Sequence, residues 1–190
     1  AVNDSKEVSF KEGTVNFDIG GGKYDTLTKA LKSKGVLNYI FDPFSRSKDF
    51  NAESVAKAGH GQSDTATLSN LLNVIEKKED QILALKRAKN ALKDDGEVFI
   101  TIHRESGKPA GPTQKTKEFP EGQSYQHQKP LKEYLDLVQE VFPNAEIKSG
   151  GLIVATKESK VSLNIRGADD NTIKEATDEL ADEYIEVIDR

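Results

Sequence analysis

The sequence predicts an α/β fold built on a mostly parallel, helix-covered sheet, and three observations carry that expectation. Short apolar runs alternate with helix-patterned segments from Val15 to Phe142. The first run, Val15, Phe17 and Ile19, stops at three consecutive glycines, Gly20 to Gly22, and a helix pattern begins just beyond them. The last apolar stretch, AEIKSGGLIVATK, reads as two strands joined at Ser149-Gly150-Gly151. That connection is too short for a crossover, so the pair is an antiparallel hairpin.

Taken in order, residues 1–13 are polar apart from Val8 and Phe10 and form an N-terminal extension. After the first strand and its glycines, Tyr24, Leu27, Ala30 and Leu31 line one face of a helix that ends near Gly35. Val36 to Phe41 is the second strand, and Pro43 holds the preceding Asp42 in an extended conformation. Lys48 to Ala58 is a helix stopped at Gly59-His60-Gly61. Asp64 to Asn70 is a strand that turns at Ser69-Asn70. The next helix carries the stripe Ile82, Leu85, Ala88, Leu92 and closes at Asp94-Asp95-Gly96, which leads into the strand Gly96 to His103. Residues 103–129 form a long loop holding three of the chain's six prolines, of the kind that serves as a lid. Leu131, Tyr134, Leu135, Val138, Val141 and Phe142 make a further amphipathic helix stopped by Pro143.

Composition narrows the chemistry. There is no cysteine, which removes thiolate nucleophiles and cysteine zinc sites. The three histidines, His60, His103 and His127, show no zinc spacing, so no metal is expected. The net charge of −5 is uneven: residues 158–190 carry −6 and the remainder +1. Strong non-specific nucleic-acid binding is therefore not expected. No stretch is apolar enough for a membrane span and AVNDSKEVSF has no signal-peptide pattern, so the expectation is a soluble cytoplasmic protein.

The glycine turn and Asp42 form one constellation. Glycine allows positive φ and close approach of backbone N–H groups to a bound molecule, and the following helix start adds donors. Asp42 stands 20 residues after Gly22 at the end of the next strand, where a carboxylate can accept from ribose hydroxyls. Together they point to an adenosine-containing cofactor. A nicotinamide dinucleotide is the rival, since Gly20-x-Gly22 with a downstream acid serves both. Asp25 stands at the third glycine position of that fingerprint, which weakens the dinucleotide match. Tyr125 and Lys129 have the YxxxK spacing of short-chain dehydrogenases, but the glycine turn of that family is missing.

Over residues 14–157, FDIGGGKYD, FDPFSRS and the segment TATLSNLLNVI through EVFITIHR resemble the class I S-adenosylmethionine-dependent methyltransferases. In style they look most like small methyltransferase-like proteins encoded by bacteriophages. The resemblance implies a Rossmann-like sheet with a C-terminal antiparallel β-hairpin; beyond it, the residue pattern over 158–190 reads as an acidic appendage with a strand-like piece, Val161 to Ile165, and a helix. It implies S-adenosylmethionine as cofactor. Asp18, Gly20, Gly21 and Gly22 would surround its amino-acid end, Asp42 its ribose and Phe44 its adenine, with Ser69, Asn70 and Leu71 facing it. Three departures stand out. Tyr24 replaces the third glycine, and only 21 residues separate Asp42 from Asp64, so the family's third strand is shortened or absent. SNLL stands where (D/N)PP(Y/F) would mark an exocyclic-amine methylase. The methyl acceptor is not identified, and His103, Tyr125 and His127 are the candidate general bases.

A catalytically inactive domain serving as a structural or protein-binding module, in a phage particle for instance, is the alternative. Thr172 to Ile188 reads as a helix with capping-box spacing at Thr172 and Glu175. Its stripe of Ile173, Ala176, Leu180, Tyr184, Val187 and Ile188 would meet a protein partner, a second copy or the domain itself. A phage-encoded protein would work in the host cytoplasm or the virion.

Overall fold

The structure, a computed structural model, describes residues 9–102, 111–112, 125–126 and 129–157. The first residues of the N-terminal extension, most of the expected lid and the acidic segment from residue 158 lie outside the described residues.

Six strands form one sheet in the order β2-β1-β3-β4-β8-β7. β1 (Val15–Ile19), β2 (Leu37–Phe41), β3 (Ser63–Ser69) and β4 (Leu92–Thr101) are parallel. β8 (Ile153–Thr156) runs antiparallel to β4 and to β7 (Glu146–Ile147), the expected hairpin, turning through Ser149–Gly151. Four helices connect them: α1 (Thr26–Lys32), α2 (Lys48–Ala58), α3 (Lys78–Ala91) and α4 (Leu131–Gln139). Within the expected long loop, β5 (Gly111–Pro112) pairs antiparallel with β6 (Tyr125–Gln126). Among the described residues no helix is long and apolar enough to cross a membrane.

The two faces of the sheet differ in chemistry. Alternation sends Phe17, Ile19, Ala66, Leu68, Val98 and Ile100 to the face where Leu85 and Ala88 of α3 and Tyr134 and Val138 of α4 pack. The opposite side of β1, β2 and β3 is polar. There Asn16 Nδ2 donates to Asn38 Oδ1 (2.7 Å) and Thr67 Oγ1 (3.1 Å). Thr65 Oγ1 donates to Asn16 Oδ1 (2.8 Å), and Asn38 Nδ2 to Thr28 Oγ1 of α1 (2.9 Å). Asn16 and Thr67 are wholly buried, and these bonds compensate their lost hydration.

α2 begins at Ser47, whose hydroxyl accepts the Phe50 N–H (3.2 Å), and ends at Gly59, as its sequence predicts. It leads directly into β3. No strand lies between β2 and β3, and among the described residues β2 is the outermost strand on that side of the sheet.

Two sequence expectations need correction. Tyr24 lies outside α1 and is 68% exposed, leaving Leu31 as the buried anchor of that short helix. Leu92 is not the last position of the α3 stripe: the helix ends at Ala91 and β4 starts at once. Leu92 is fully buried opposite Ser63, and the register jumps from that pair to Thr65 opposite Glu97. Asp94-Asp95-Gly96 is therefore an excursion inside the strand, with Lys93 held to Asp64 (2.7 Å) and Lys157 N–H to Gly96 C=O (2.9 Å).

Asn16 is the hub of the polar layer. Asn16→Ala strands the buried Thr65 hydroxyl and leaves the half-buried Asn38 amide oxygen without this donor, and should cost about 1–3 kcal/mol by urea unfolding; a loss below about 0.5 kcal/mol would show that the layer is solvated.

Candidate functional site

The strands' C-terminal ends share one edge, and β1 is the point from which the chain departs to β2 on one side and β3 on the other. Ligands of open α/β sheets bind at such a point. The glycine turn sits there, and each glycine answers a separate requirement. Gly20 and Gly22 both have φ of +71°. A Cβ on Gly20 would lie 2.5 Å from Leu71 Cδ1, whereas one on Gly22 would meet nothing within 4 Å. Gly21 has no positive φ, but a Cβ there would fall on the Asp18 carboxylate and 2.9 Å from Ile40 Cγ2.

The turn is stitched to the end of β2. Gly20 N–H donates to Phe41 C=O (2.8 Å) and Gly22 N–H to Asp42 Oδ2 (2.8 Å). Asp42 Oδ1 accepts the N–H groups of Phe44 (3.0 Å) and Ser45 (2.9 Å), so three backbone donors meet this buried carboxylate. Asn51 of α2 holds the Asp42 backbone from outside. Its Oδ1 accepts the Asp42 N–H (2.8 Å) and its Nδ2 donates to the Asp42 C=O (3.0 Å). Arg46 closes the loop: Nε donates to Gly22 C=O (2.8 Å) and Nη2 to Asp25 Oδ1 (2.6 Å), with the guanidinium 4.8 Å from the Phe50 ring centre.

Asp18 lies beneath the turn at 3% exposure and accepts from Thr67 Oγ1 (2.7 Å). Burial raises its pKa from 3.8 to about 6; the hydrogen bonds of Thr67 and Asn38 oppose the shift and the charge of Asp42 adds to it.

At the end of β3, Ser69 pairs with Thr101, and Asn70 takes a left-handed φ of 56° while its N–H donates to Thr101 C=O (2.8 Å). That turn sends Leu71 back over Gly20. Gln81 of α3 secures the segment by donating to the carbonyls of Leu72 (2.7 Å) and Ile75 (3.0 Å). Asn73 Oδ1 and Thr101 Oγ1 are buried without a partner here.

Asp18, Gly20, Gly21, Gly22, Asp42 and Leu71 are thus brought together, with Ser69 and Asn70 at the neighbouring strand end. Phe44 follows Asp42 with its ring 97% exposed. His103 and His127 lie outside the described residues, and Tyr125 is described only as backbone of β6. His60 follows α2, at the far end of the sheet. Two cavities of about 370 and 300 Å³ lie elsewhere, one beside Glu97, Phe99 and Val154, the other between α3 and α4. Among the described residues no cluster of His, Asp and Glu could hold a metal.

Arg46, Asn51 and Thr67 are absent from the sequence-derived site. Asn51 left a faint signal, a poor helix former in the first turns of α2. Thr67 left another, since Asn16, Asp18, Asn38, Thr65 and Thr67 recur at every second position of otherwise buried strands.

The raised Asp18 pKa has a definite sign. Its folded pKa lies above the unfolded value, so folding binds a proton between about pH 4 and 6 and stability falls as pH rises through that window. Asp18→Asn, which keeps an acceptor for Thr67, should gain on the native protein between pH 4 and pH 7.5, by on the order of 3 kcal/mol at most. Urea unfolding at both ends checks it, and a pH-independent difference would count against the buried charge. Gly21→Ala should cost about 1–3 kcal/mol through the clash with Asp18 and Ile40.

No protein-family model and no curated protein matches the sequence. Solved structures do. The chain is similar to a SAM-dependent methyltransferase from Methanosarcina mazei, with a TM-score of 0.58 at 14% identity over 77% of this chain and 93% of that one. It is also similar to PigF solved with SAH, at 0.56 and 20% over 80% and 52%. A third is the Burkholderia thailandensis 1,6-didemethyltoxoflavin-N1-methyltransferase with bound 1,6-didemethyltoxoflavin and S-adenosylhomocysteine, at 0.53 and 16% over 78% and 72%. The chain spans about half of some of its matches, 52% of PigF and 50% of TnmH. The fold is therefore the Rossmann-like sheet of class I methyltransferases, mostly parallel with an antiparallel C-terminal hairpin.

Proposed function

We propose that this protein binds S-adenosylmethionine at the Gly20–Gly22 turn and transfers its methyl group to an acceptor that is not identified. The observation that carries the reading is the convergence of the turn, buried Asp42 and Leu71 at the switch point of a methyltransferase-type sheet, a fold whose neighbours were solved with S-adenosylhomocysteine. Asp18 and the turn would fix the amino-acid end, and Leu71 would pack beside it. Phe44 offers a free ring to the adenine. A carboxylate has about four acceptor positions, and Asp42 has three taken, which leaves one for a ribose hydroxyl.

Methyl transfer forms a bond from the acceptor atom to the methyl carbon as the carbon–sulfur bond breaks, its electron pair neutralising the sulfonium. Alignment is the main requirement. The acceptor's proton would leave to a base, for which His103, Tyr125 and His127 in the 103–129 segment are the candidates.

A second reading, a cofactor-free structural or protein-binding module, gains support from the same geometry. Asp42 is engaged with its own backbone and Leu71 already covers Gly20. The helix expected over Thr172 to Ile188 would then be the partner-binding element, through its apolar stripe.

Calorimetry with S-adenosylhomocysteine, and with NAD as control, separates the readings. Micromolar binding of the homocysteine nucleoside alone is expected. Binding of neither would leave the module, and binding of NAD would reinstate a dehydrogenase. Asp42→Ala is a poor probe because it also strands three backbone donors. The ligand-side test is cleaner: of the 2′- and 3′-deoxy analogues, one should bind like the parent and the other about 10–150-fold more weakly, the loss of one hydrogen bond to a charged group.

A further inference from the structure

We propose that Arg46 is a positioning residue for the nucleotide-binding turn, acting through the backbone of Gly22; the inference rests on the cofactor reading above. Gly22 has φ of +71° and no atom within 4 Å of where a side chain would begin. With no side chain to pack, Gly22 is positioned chiefly through its two backbone hydrogen bonds. Its N–H goes to Asp42 Oδ2 and its C=O receives Arg46 Nε, both at 2.8 Å. Both partners come from one short loop, closed on itself by the Arg46 N–H to Asp42 C=O bond (3.0 Å). Asn51 anchors that loop at the same carbonyl.

The guanidinium is suited to this task in a way an ammonium is not. Nε takes the Gly22 carbonyl while Nη2 takes Asp25, and the plane lies against Phe50 with the side chain 14% exposed. Asp25 precedes α1 but makes no side-chain cap to it, its carboxylate being turned to Arg46. Arg46 thereby fixes the separation between the turn and Asp42 before a ligand arrives, a separation that otherwise would be set at the ligand's expense.

The test compares the native protein with Arg46→Ala, Arg46→Lys and Asp25→Asn by S-adenosylhomocysteine calorimetry, thermal melting and amide hydrogen exchange at Gly22. Arg46→Ala and Arg46→Lys should both bind on the order of tenfold more weakly, the loss of a charge-assisted hydrogen bond, and Asp25→Asn within about twofold of native. Gly22 should exchange faster in both arginine variants while β3 stays protected and the melting midpoint of Arg46→Lys stays near native. Full rescue by lysine would reduce Arg46 to a charge and overturn the proposal, as would unchanged Gly22 exchange. If the native protein does not bind S-adenosylhomocysteine, the cofactor reading fails by itself, and accelerated Gly22 exchange in both arginine variants still supports the clamp while unchanged exchange removes it.

Discussion

The carboxylate of Asp42 is the interaction on which this edge of the molecule depends. A short side chain at the end of β2 gathers N–H groups from the glycine turn after β1 and from its own loop. Burying a carboxylate is costly unless donors replace water, and here the donors are backbone groups that the turns would otherwise leave unpaired. One residue therefore solves two problems: backbone donors replace its lost hydration, and together with the Gly20–Phe41 and Arg46–Gly22 bonds it joins the two connections. Arg46 and Asn51 extend the arrangement to α1 and α2.

Behind that edge, the polar layer under α1 gives the three strands a register that hydrophobic packing alone would leave loose. Asn16, Asn38, Thr65 and Thr67 meet only if β1 stands level with both neighbours. A slip by one residue would exchange this layer with the apolar face. The same layer ends at Thr67 and Asp18, so the alignment of the strands and the protonation of the carboxylate beneath the turn are one piece of chemistry.

Much of this was legible because the signals are local. Strand, glycines and acid lie within 28 residues, from Val15 to Asp42, and each has a backbone reason visible in its residue type. The short stretch between Asp42 and Asp64 correctly pointed to a missing third strand. Arg46 was not legible and Asn51 only faintly so, because an arginine in a polar loop or an asparagine in a helix gains its meaning from what it touches after folding. Asp94-Asp95-Gly96 misled for the opposite reason: its turn chemistry is real, but the burial of Leu92 draws the chain into the sheet before the turn is made. Most of the expected lid, with His103 and His127, lies outside the described residues.

Among the described residues the sheet ends at β2, which brings a hazard that a further strand would bury. Outer strands carry unpaired N–H and C=O groups in the spacing another chain needs, and they are where soluble proteins associate wrongly. Asn51 presents an amide to both polar groups of Asp42, a one-residue imitation of the strand that is not there. The residue that steadies the site thus also shortens the length of strand open to a foreign chain, so losing it would touch colloidal behaviour as well as binding.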